Sequence, residues 1–182
     1  METTDEIIII DLEATCWEQD GDYQRQHSEI IEIGICKMDA RTGRVIKNEG
    51  VLIKPVHSEI SSFCTKLTSI TPAMVEQDGF SLKEACEILE GEYGSRELTW
   101  ASYGAYDKQM LKEQCIKFGV KYPMSSQHIN VKTFFADQHQ LSRGVGMAGA
   151  LKMLNVPLLG THHRGVDDAR NIAKIISHLL AE

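Results

Sequence analysis

The first 54 residues alternate between apolar runs and polar turns, a pattern typical of β-strands. Four consecutive isoleucines at positions 7–10 predict a buried strand, because β-branched side chains suit the two-sided interior of a sheet. Residues 29–38 alternate regularly, and residues 45–53 form a further apolar run. The polar residues between these two segments, with Gly43 at the tight position, predict a hairpin of antiparallel strands. Residues 18–28 are polar and predict a loop.

The rest of the chain alternates between helical periodicity and short apolar runs. Ser81, with Glu84 three residues later, predicts a capping box, and Gly119 predicts a helix C-terminus. Strands are expected over residues 98–102 and 128–132. Helices are expected to begin at Pro72 and at Leu82, the latter ending at Gly91 or Gly94, and to cover residues 106–118, 133–138, 146–154 and 166–180. The pattern predicts an α/β fold: an antiparallel three-strand meander plus two parallel strands in a mixed five-stranded sheet, with helices on both faces.

Composition and charge narrow the class of protein. A length of 182 residues with 42% hydrophobic residues predicts one globular domain over residues 1–182. No apolar run approaches the length that spans a membrane, and Glu2, Asp5 and Glu6 stand where a signal peptide would be basic. The five cysteines are scattered, which predicts reduced thiols in a cytoplasmic protein. Because the net charge is −7, any nucleic acid must be bound by a short local contact or through cations.

Two acids, Asp11 and Glu13, stand at the end of the first strand. On an extended backbone, side chains two residues apart share a face, with Cα atoms roughly 7 Å apart. Two carboxylates placed together repel each other, and a divalent cation is the usual compensation. The alternative is that the strand ends earlier and both acids are solvated loop residues.

Further acids and histidines stand at later junctions between loops or strands and helices. Asp107 opens a helix directly after a short strand, and Asp167 and Asp168 lie in the first turn of the last helix, preceded by His162 and His163. Taken singly, each has an ordinary explanation, since acids are favoured at helix N-termini and histidines are common in polar loops.

Together these residues form an ordered signature. Asp-x-Glu on the first strand, Asp after a later strand, and His-x4-Asp entering the last helix resemble the DEDDh 3′–5′ exonucleases. Five segments are similar to the Eri-type exoribonuclease branch of that family: Asp-Leu-Glu-Ala-Thr-Cys-Trp from residue 11, Glu-Ile-Ile-Glu-Ile-Gly from 29, Phe-Cys-x-x-Leu-Thr-x-Ile-Thr from 63, Ile-Asn-Val-Lys from 129 and Gly-Val-Asp-Asp-Ala-Arg-Asn-Ile-Ala from 165. The resemblance covers essentially the whole chain and implies a single exonuclease domain with an RNase H-like fold.

The resemblance also implies roles for single residues. The metal ligands would be Asp11, Glu13, Asp107 and Asp168. The family's histidine general base stands five residues before its last Asp, which fits His163 with Asp168 but equally His162 with Asp167. Because the second Asp of the family's doubled pair is the ligand, His163 and Asp168 are preferred. His162 is then a loop neighbour and Asp167 a helix cap.

The chemistry accounts for these residue types. Phosphodiester hydrolysis needs an activated water and stabilisation of the leaving oxygen, and two divalent ions roughly 4 Å apart supply both. Oxygen ligands select Mg²⁺ or Mn²⁺. We expect Asp11 to bridge the ions, Glu13 and Asp168 to complete one, and Asp107 to reach the other. His163 would take the proton from the water, since its pKa lies near operating pH.

The family resemblance places the terminal nucleotide between Ala14 and Thr15 on one side and Leu67 and Thr68 on the other. For Leu67 the alternative is an ordinary core position. Ser69 departs from the family pattern, because relatives often carry glycine there. Three nearby basic residues are expected to be solvated surface charges: Lys66, Lys108 and Arg164.

The predicted activity is 3′–5′ exonucleolytic cleavage of short or frayed single-stranded 3′ ends, RNA rather than DNA, with release of nucleoside 5′-monophosphates. Two rivals are a two-metal endonuclease, which leaves His163 unexplained, and a non-catalytic nucleic-acid-binding or interaction module on the same fold, against which the complete set of acids counts. A third, a phosphotransferase using Asp11 as nucleophile, lacks a lysine partner.

Overall fold

The computed structural model describes residues 5–19 and 21–182 and places the isoleucine-rich strand at the centre of a mixed sheet. The five strands are β1 (Glu6–Ala14), β2 (Ile30–Asp39), β3 (Val45–Leu52), β4 (Thr99–Ser102) and β5 (His128–Asn130). Their order is β3-β2-β1-β4-β5. The pairs β1–β2 and β2–β3 are antiparallel, whereas β1–β4 and β4–β5 are parallel. The predicted mixed five-stranded sheet is confirmed.

Eight helices lie within the described residues: α1 (Asp22–His27), α2 (Ser62–Thr68), α3 (Pro72–Asp78), α4 (Leu82–Tyr93), α5 (Tyr106–Lys117), α6 (Val131–Gln138), α7 (Met147–Met153) and α8 (Gly165–Ala181). The expected loop over residues 18–28 is wrong in its second half, where α1 forms; residue 20 of that loop lies outside the described residues. Helix α1 buries no side chain, so it leaves no apolar pattern in the sequence. Helix α6 begins two residues earlier than predicted, because Asn130 caps it by accepting from the Thr133 amide. None of the described helices is long and apolar enough to cross a bilayer.

Strand β1 anchors a hydrophobic core on each face of the sheet. Ile8 and Ile10 pack into one cluster with residues of α4 and α5. Ile7 and Ile9 point to the opposite face and pack into a second cluster with residues of α6, α7 and α8. Because alternate side chains of a strand point to opposite faces, the single isoleucine run serves both cores. The predicted helices on both faces are confirmed.

Helix α8 begins in direct backbone contact with the sheet. A Cβ atom added at Gly34 of β2 would lie 1.8 Å from the carbonyl oxygen of Gly165, the first residue of α8. A Cβ atom at Gly165 would in turn lie 3.0 Å from the carbonyl oxygen of Asp11. Both glycines are therefore required for this approach, which sets the first turn of α8 beside the end of β1.

The Gly34→Ala variant should be destabilised by about 2 kcal/mol or more, because the new methyl group meets a backbone carbonyl that cannot move aside without shifting α8. The matched control is Gly91→Ala in α4, where an added Cβ has no neighbour within 4 Å. That control should be stabilised by about 0.5 kcal/mol through helix propensity. Urea unfolding of both variants measures the difference, and equal stability of the two would contradict the packing argument.

Candidate active site

Three carboxylates converge where β1 ends and α8 begins. Oxygen atoms of Asp11, Glu13 and Asp168 lie within 4.8 Å of one another. Asp11 and Glu13 come from alternate positions of β1, and Asp168 lies in the first turn of α8 and is almost fully buried. The approach of α8 to the sheet at Gly165 is what brings the third carboxylate to the first two.

Asp107 lies close enough to this cluster to act electrostatically on Asp11. It lies in the first turn of α5, directly after the turn that leaves β4. Its Oδ2 atom accepts a hydrogen bond of 3.4 Å from the backbone N–H of Leu12, the residue between the two acids of β1. Four acids predicted from the sequence are thus brought to one place, each at the end of a strand or the start of a helix.

The cluster carries more negative charge than its surroundings can balance. Burial, followed by repulsion from Asp107 and Glu13, raises the pKa of Asp11 well above its usual range. Burial and then Asp168 raise the pKa of Glu13 to about 9, and burial raises that of Asp107 to about 7. Hard oxygen donors held close together at an electrostatic cost suit a divalent cation. The donor set therefore fits the metal ions that the sequence predicts.

The histidine pair lies in the loop before α8, and both members contact Asp168. The backbone N–H of His163 donates to Asp168 Oδ2 at 2.9 Å, while Nδ1 of His162 lies 3.0 Å from Asp168 Oδ1. The two rings stack with centroids 4.0 Å apart. His163 adopts the left-handed conformation with φ of 69°, uncommon outside glycine. Asp168 thus fixes the loop that carries both imidazoles.

The His163 imidazole is held toward its neutral form. Burial, and then the adjacent His162, lower the pKa of His163, and the opposing effect of Asp168 does not outweigh them. A neutral imidazole near neutral pH can accept a proton. Asp167 takes a different position from the expected helix cap: its Oδ2 accepts from the N–H of Thr161 at 2.9 Å and so fastens the loop.

The four residues predicted to contact substrate divide into two kinds. Ala14 is partly exposed at the end of β1, and Leu67 on α2 has 39% of its surface exposed, outside the core. Thr15 and Thr68 are buried, and their hydroxyls serve the fold. The Thr15 hydroxyl bonds Ser58 and the amide of Glu29, while that of Thr68 donates to the carbonyl of Cys64.

Ser69, which departs from the family pattern, ends helix α2 in the left-handed conformation with φ of 67°. Glycine adopts this conformation without steric cost, whereas a serine Cβ crowds the backbone. The structure therefore gives a conformational reason for the glycine that the family resemblance leads us to expect at this position.

Sequence reasoning missed Glu32, which is fully buried in β2. Its carboxylate accepts from the Arg164 guanidinium and from the backbone N–H of Gly165. The expectation that Arg164 is a solvated surface charge is therefore wrong. The available signal was a glutamate interrupting an otherwise apolar strand, Glu-Ile-Ile-Glu-Ile-Gly.

Glu29, in the same segment, was also missed as a structural residue. Its carboxylate accepts from the backbone N–H groups of Val56, His57 and Ser58. Burial alone would raise the pKa of Glu29, but the hydrogen bonds from Ser58 and its neighbours lower it. The loop over residues 56–58 is thereby held against Thr15, beneath the end of β1.

The metal-free protein should lose stability as pH rises, because the raised pKa values mean that folding takes up protons. Ionisation of Glu13 should lower the stability between pH 4.5 and about pH 9, and ionisation of Asp107 between pH 3.8 and about pH 7. Asp11→Asn removes one crowded carboxylate and should raise Tm in EDTA at pH 8 by about 3 °C or more, with little effect near pH 4.5. The control is Glu87→Gln on the exposed face of α4. Equal Tm of Asp11→Asn and wild type at pH 8 would refute the crowding argument.

The chain is similar to known proteins. Human ERI1 exoribonuclease 3 is 31% identical over 186 residues, covering 94% of this chain and 52% of that protein. The 3′-5′ exonuclease Snipper of Drosophila melanogaster is 26% identical over 197 residues, covering 97% and 69%. The crystal structure of the nuclease domain of 3′hExo, a DEDDh family member bound to rAMP, matches with a TM-score of 0.86 and 27% identity, covering 99% and 94%.

The chain spans about half the length of ERI1 exoribonuclease 3, so it corresponds to one part of that protein. The match to the 3′hExo nuclease domain, by contrast, extends over nearly all of both chains. The expected resemblance to DEDDh exonucleases of the Eri type is confirmed. The family model described as exonuclease matches residues 8–176, nearly the whole of the sequence, and the chain belongs to the exonuclease family.

Proposed function

We propose that this chain is a metal-dependent 3′–5′ exonuclease that shortens single-stranded nucleic acid, RNA in preference to DNA, and releases nucleoside 5′-monophosphates. The observation that carries the proposal is the convergence of Asp11, Glu13 and Asp168 oxygens within 4.8 Å, with the His163 loop bonded to the same Asp168. Membership of the exonuclease family supports it. The relatives named exoribonucleases support RNA as the substrate class.

Exonucleases of the DEDDh type depend on divalent metal ions, and the donor set here suits them. We propose two ions, Mg²⁺ or Mn²⁺, held by the four carboxylates Asp11, Glu13, Asp107 and Asp168. When bound, such ions activate the attacking water and stabilise charge on the leaving 3′ oxygen. The protein's own contribution is to hold four oxygen-donor groups in place before metal arrives. Because the acids are buried, holding their charged groups together is unfavourable without metal and favourable when metal is bound.

His163 is proposed as the general base. Its lowered pKa keeps the imidazole neutral, so that a ring nitrogen can accept the proton of the attacking water. The backbone bond from His163 to Asp168 keeps the imidazole beside the carboxylates. His162 contacts the other oxygen of Asp168 and is proposed to steady that carboxylate.

The 3′-terminal nucleotide is proposed to rest between the end of β1 and helix α2. Leu67 and Phe63 expose apolar surface on α2, at 39% and 37%, which suits stacking against a base without reading its identity. Ala14 leaves space beside the acids because its side chain is small. The structure of the 3′hExo nuclease domain bound to rAMP supports a nucleoside monophosphate as the occupant of such a site.

The electrostatics suit a short substrate contact. A net charge of −7 disfavours wrapping of a long nucleic acid, and local cations at the carboxylates offset the repulsion at one point.

All five cysteines are free thiols, four of them buried. A reducing setting such as the cytoplasm is therefore proposed.

With a 5′-labelled single-stranded RNA and Mg²⁺ or Mn²⁺, the protein should produce a ladder that descends from the 3′ end, and EDTA should abolish it. Asp11→Ala and Asp168→Asn should each lower the rate by about 10³-fold or more, because each removes a metal ligand. Lys152→Ala on exposed α7 is the control. Discrete internal cuts would favour the rival function, a two-metal endonuclease. Full activity of Asp11→Ala would refute the metal mechanism.

The acid side of the pH–rate profile should report His163. Because the base must be deprotonated and its pKa is lowered from 6.5, kcat/KM should fall only as pH drops below about 6.5. His163→Ala should lower kcat by about 10²-fold or more and lose this limb. His178→Ala, at the exposed end of α8, should keep the wild-type profile. If His163→Ala keeps the fall of kcat/KM at low pH, that fall arises from another titrating group.

A further inference from the structure

Glu32 carries a charge into the interior of the sheet. Its side chain is fully buried, and it accepts from Arg164 Nη2 at 3.0 Å, from Arg164 Nε at 3.4 Å and from the backbone N–H of Gly165. Arg164 itself keeps 22% of its side chain exposed. Both oxygens of the carboxylate therefore bond to the two residues that join the histidine loop to α8.

Glu32 differs from its apolar neighbours on β2. Ile31, Ile33 and Ile35 are fully buried and make no ion pair. Removing a carboxylate and a guanidinium from water is costly, and a well-packed apolar residue avoids that cost. The cost points to a role in specifying one arrangement of the segment that Glu32 binds.

That segment begins immediately after His163, whose left-handed backbone, with φ of 69°, is unfavourable for a residue with a side chain. Such a conformation persists only where neighbouring contacts determine it. On its N-terminal side the His163 amide is bonded to Asp168 at 2.9 Å. On its C-terminal side the next residue, Arg164, is bonded to Glu32 through its side chain and to the Thr161 carbonyl through its amide at 3.1 Å.

The pair also keeps Glu32 bonded to the loop, although Glu32 lies near the neighbouring carboxylates. Burial, and then a group of nearby acids that includes Glu32, raise the pKa of Asp11 and of Glu13, so Glu32 lies within electrostatic reach of the cluster. The guanidinium of Arg164 supplies the opposite charge. Glu32 is thereby engaged with the loop and is not available as a fifth metal ligand.

We infer that the Glu32–Arg164 ion pair is a latch that positions His163 for proton transfer, an inference that rests on the proposed exonuclease function. Arg164 is a positioning residue in this scheme: it acts on the reaction through the backbone of His163. Breaking the pair releases the C-terminal side of the His163 peptide while the Asp168 bond remains. The metal ligands keep their places and the base loses its orientation.

The test is a kinetic double-mutant cycle between Arg164 and His163. Arg164→Ala should lower kcat roughly 10- to 100-fold with KM within about twofold, because misplacement of a catalytic group slows the chemical step. In the His163→Ala background the same substitution should have no further effect. Arg164→Lys keeps the charge without the two-pronged guanidinium and should give a smaller loss. Independent, multiplying losses from Arg164→Ala and His163→Ala would overturn the latch.

Two readouts separate the latch from general structural damage and from a wrong assignment of function. Mn²⁺ affinity measured by calorimetry should match wild type within about threefold in Arg164→Ala, and a larger loss would make the pair part of the metal site. Amide hydrogen exchange at residue 164, whose N–H donates to the Thr161 carbonyl on the C-terminal side of His163, should be faster in Arg164→Ala than in wild type or in the control Arg170→Ala, which removes an exposed arginine from α8. If exchange in Arg164→Ala equals that of wild type, the latch is refuted even if the protein is an active nuclease. If wild type shows no nuclease activity but exchange is faster in Arg164→Ala, only the proposed function is refuted.

Discussion

The contact between two glycine backbones, Gly34 on β2 and Gly165 at the start of α8, is the constraint on which the site depends. The apolar face of α8, including Ile172 and Ile176, is buried against the sheet and drives its docking. The glycines set how near the helix can come. At that distance, one helical turn places Asp168 beside Asp11 and Glu13. A site that needs three carboxylates in contact thus depends on two residues without side chains.

Topology explains why the acids meet at this edge. Strands β1 and β4 are parallel, so their carboxyl ends lie together, and the helix that follows β4 starts there. Asp107 and Asp168 both lie in the first turn of a helix, where the aligned peptide dipoles favour negative charge. The fold therefore supplies two helix starts at this edge that favour acidic residues.

The sequence was most informative where a local pattern and a tertiary role coincide. The strands of the meander, the capping box at Ser81 and the positions of the acids follow from periodicity, turn chemistry and spacing. Helix α1 buries nothing and helix α2 is short, so neither has an apolar period to detect. The ion pair between Glu32 and Arg164 joins residues 132 positions apart, and only the docking of α8 on β2 brings them together. The structural role of the Thr15 hydroxyl was equally hidden in the sequence, because its partner Ser58 is brought to it only by the fold.

Placing so much of the site on one docked helix has a consequence for partial unfolding. Asp168, the loop of His163 and the partner of Glu32 all belong to α8 or to the residues just before it. Local openings of a protein proceed in cooperative units, so lifting α8 from β2 removes the proposed base, a proposed metal ligand and a counter-charge in one event. Under the proposed mechanism, activity is then lost in a single step, before the sheet itself comes apart. A partly opened molecule would accordingly be inert, and would not act as a less selective nuclease.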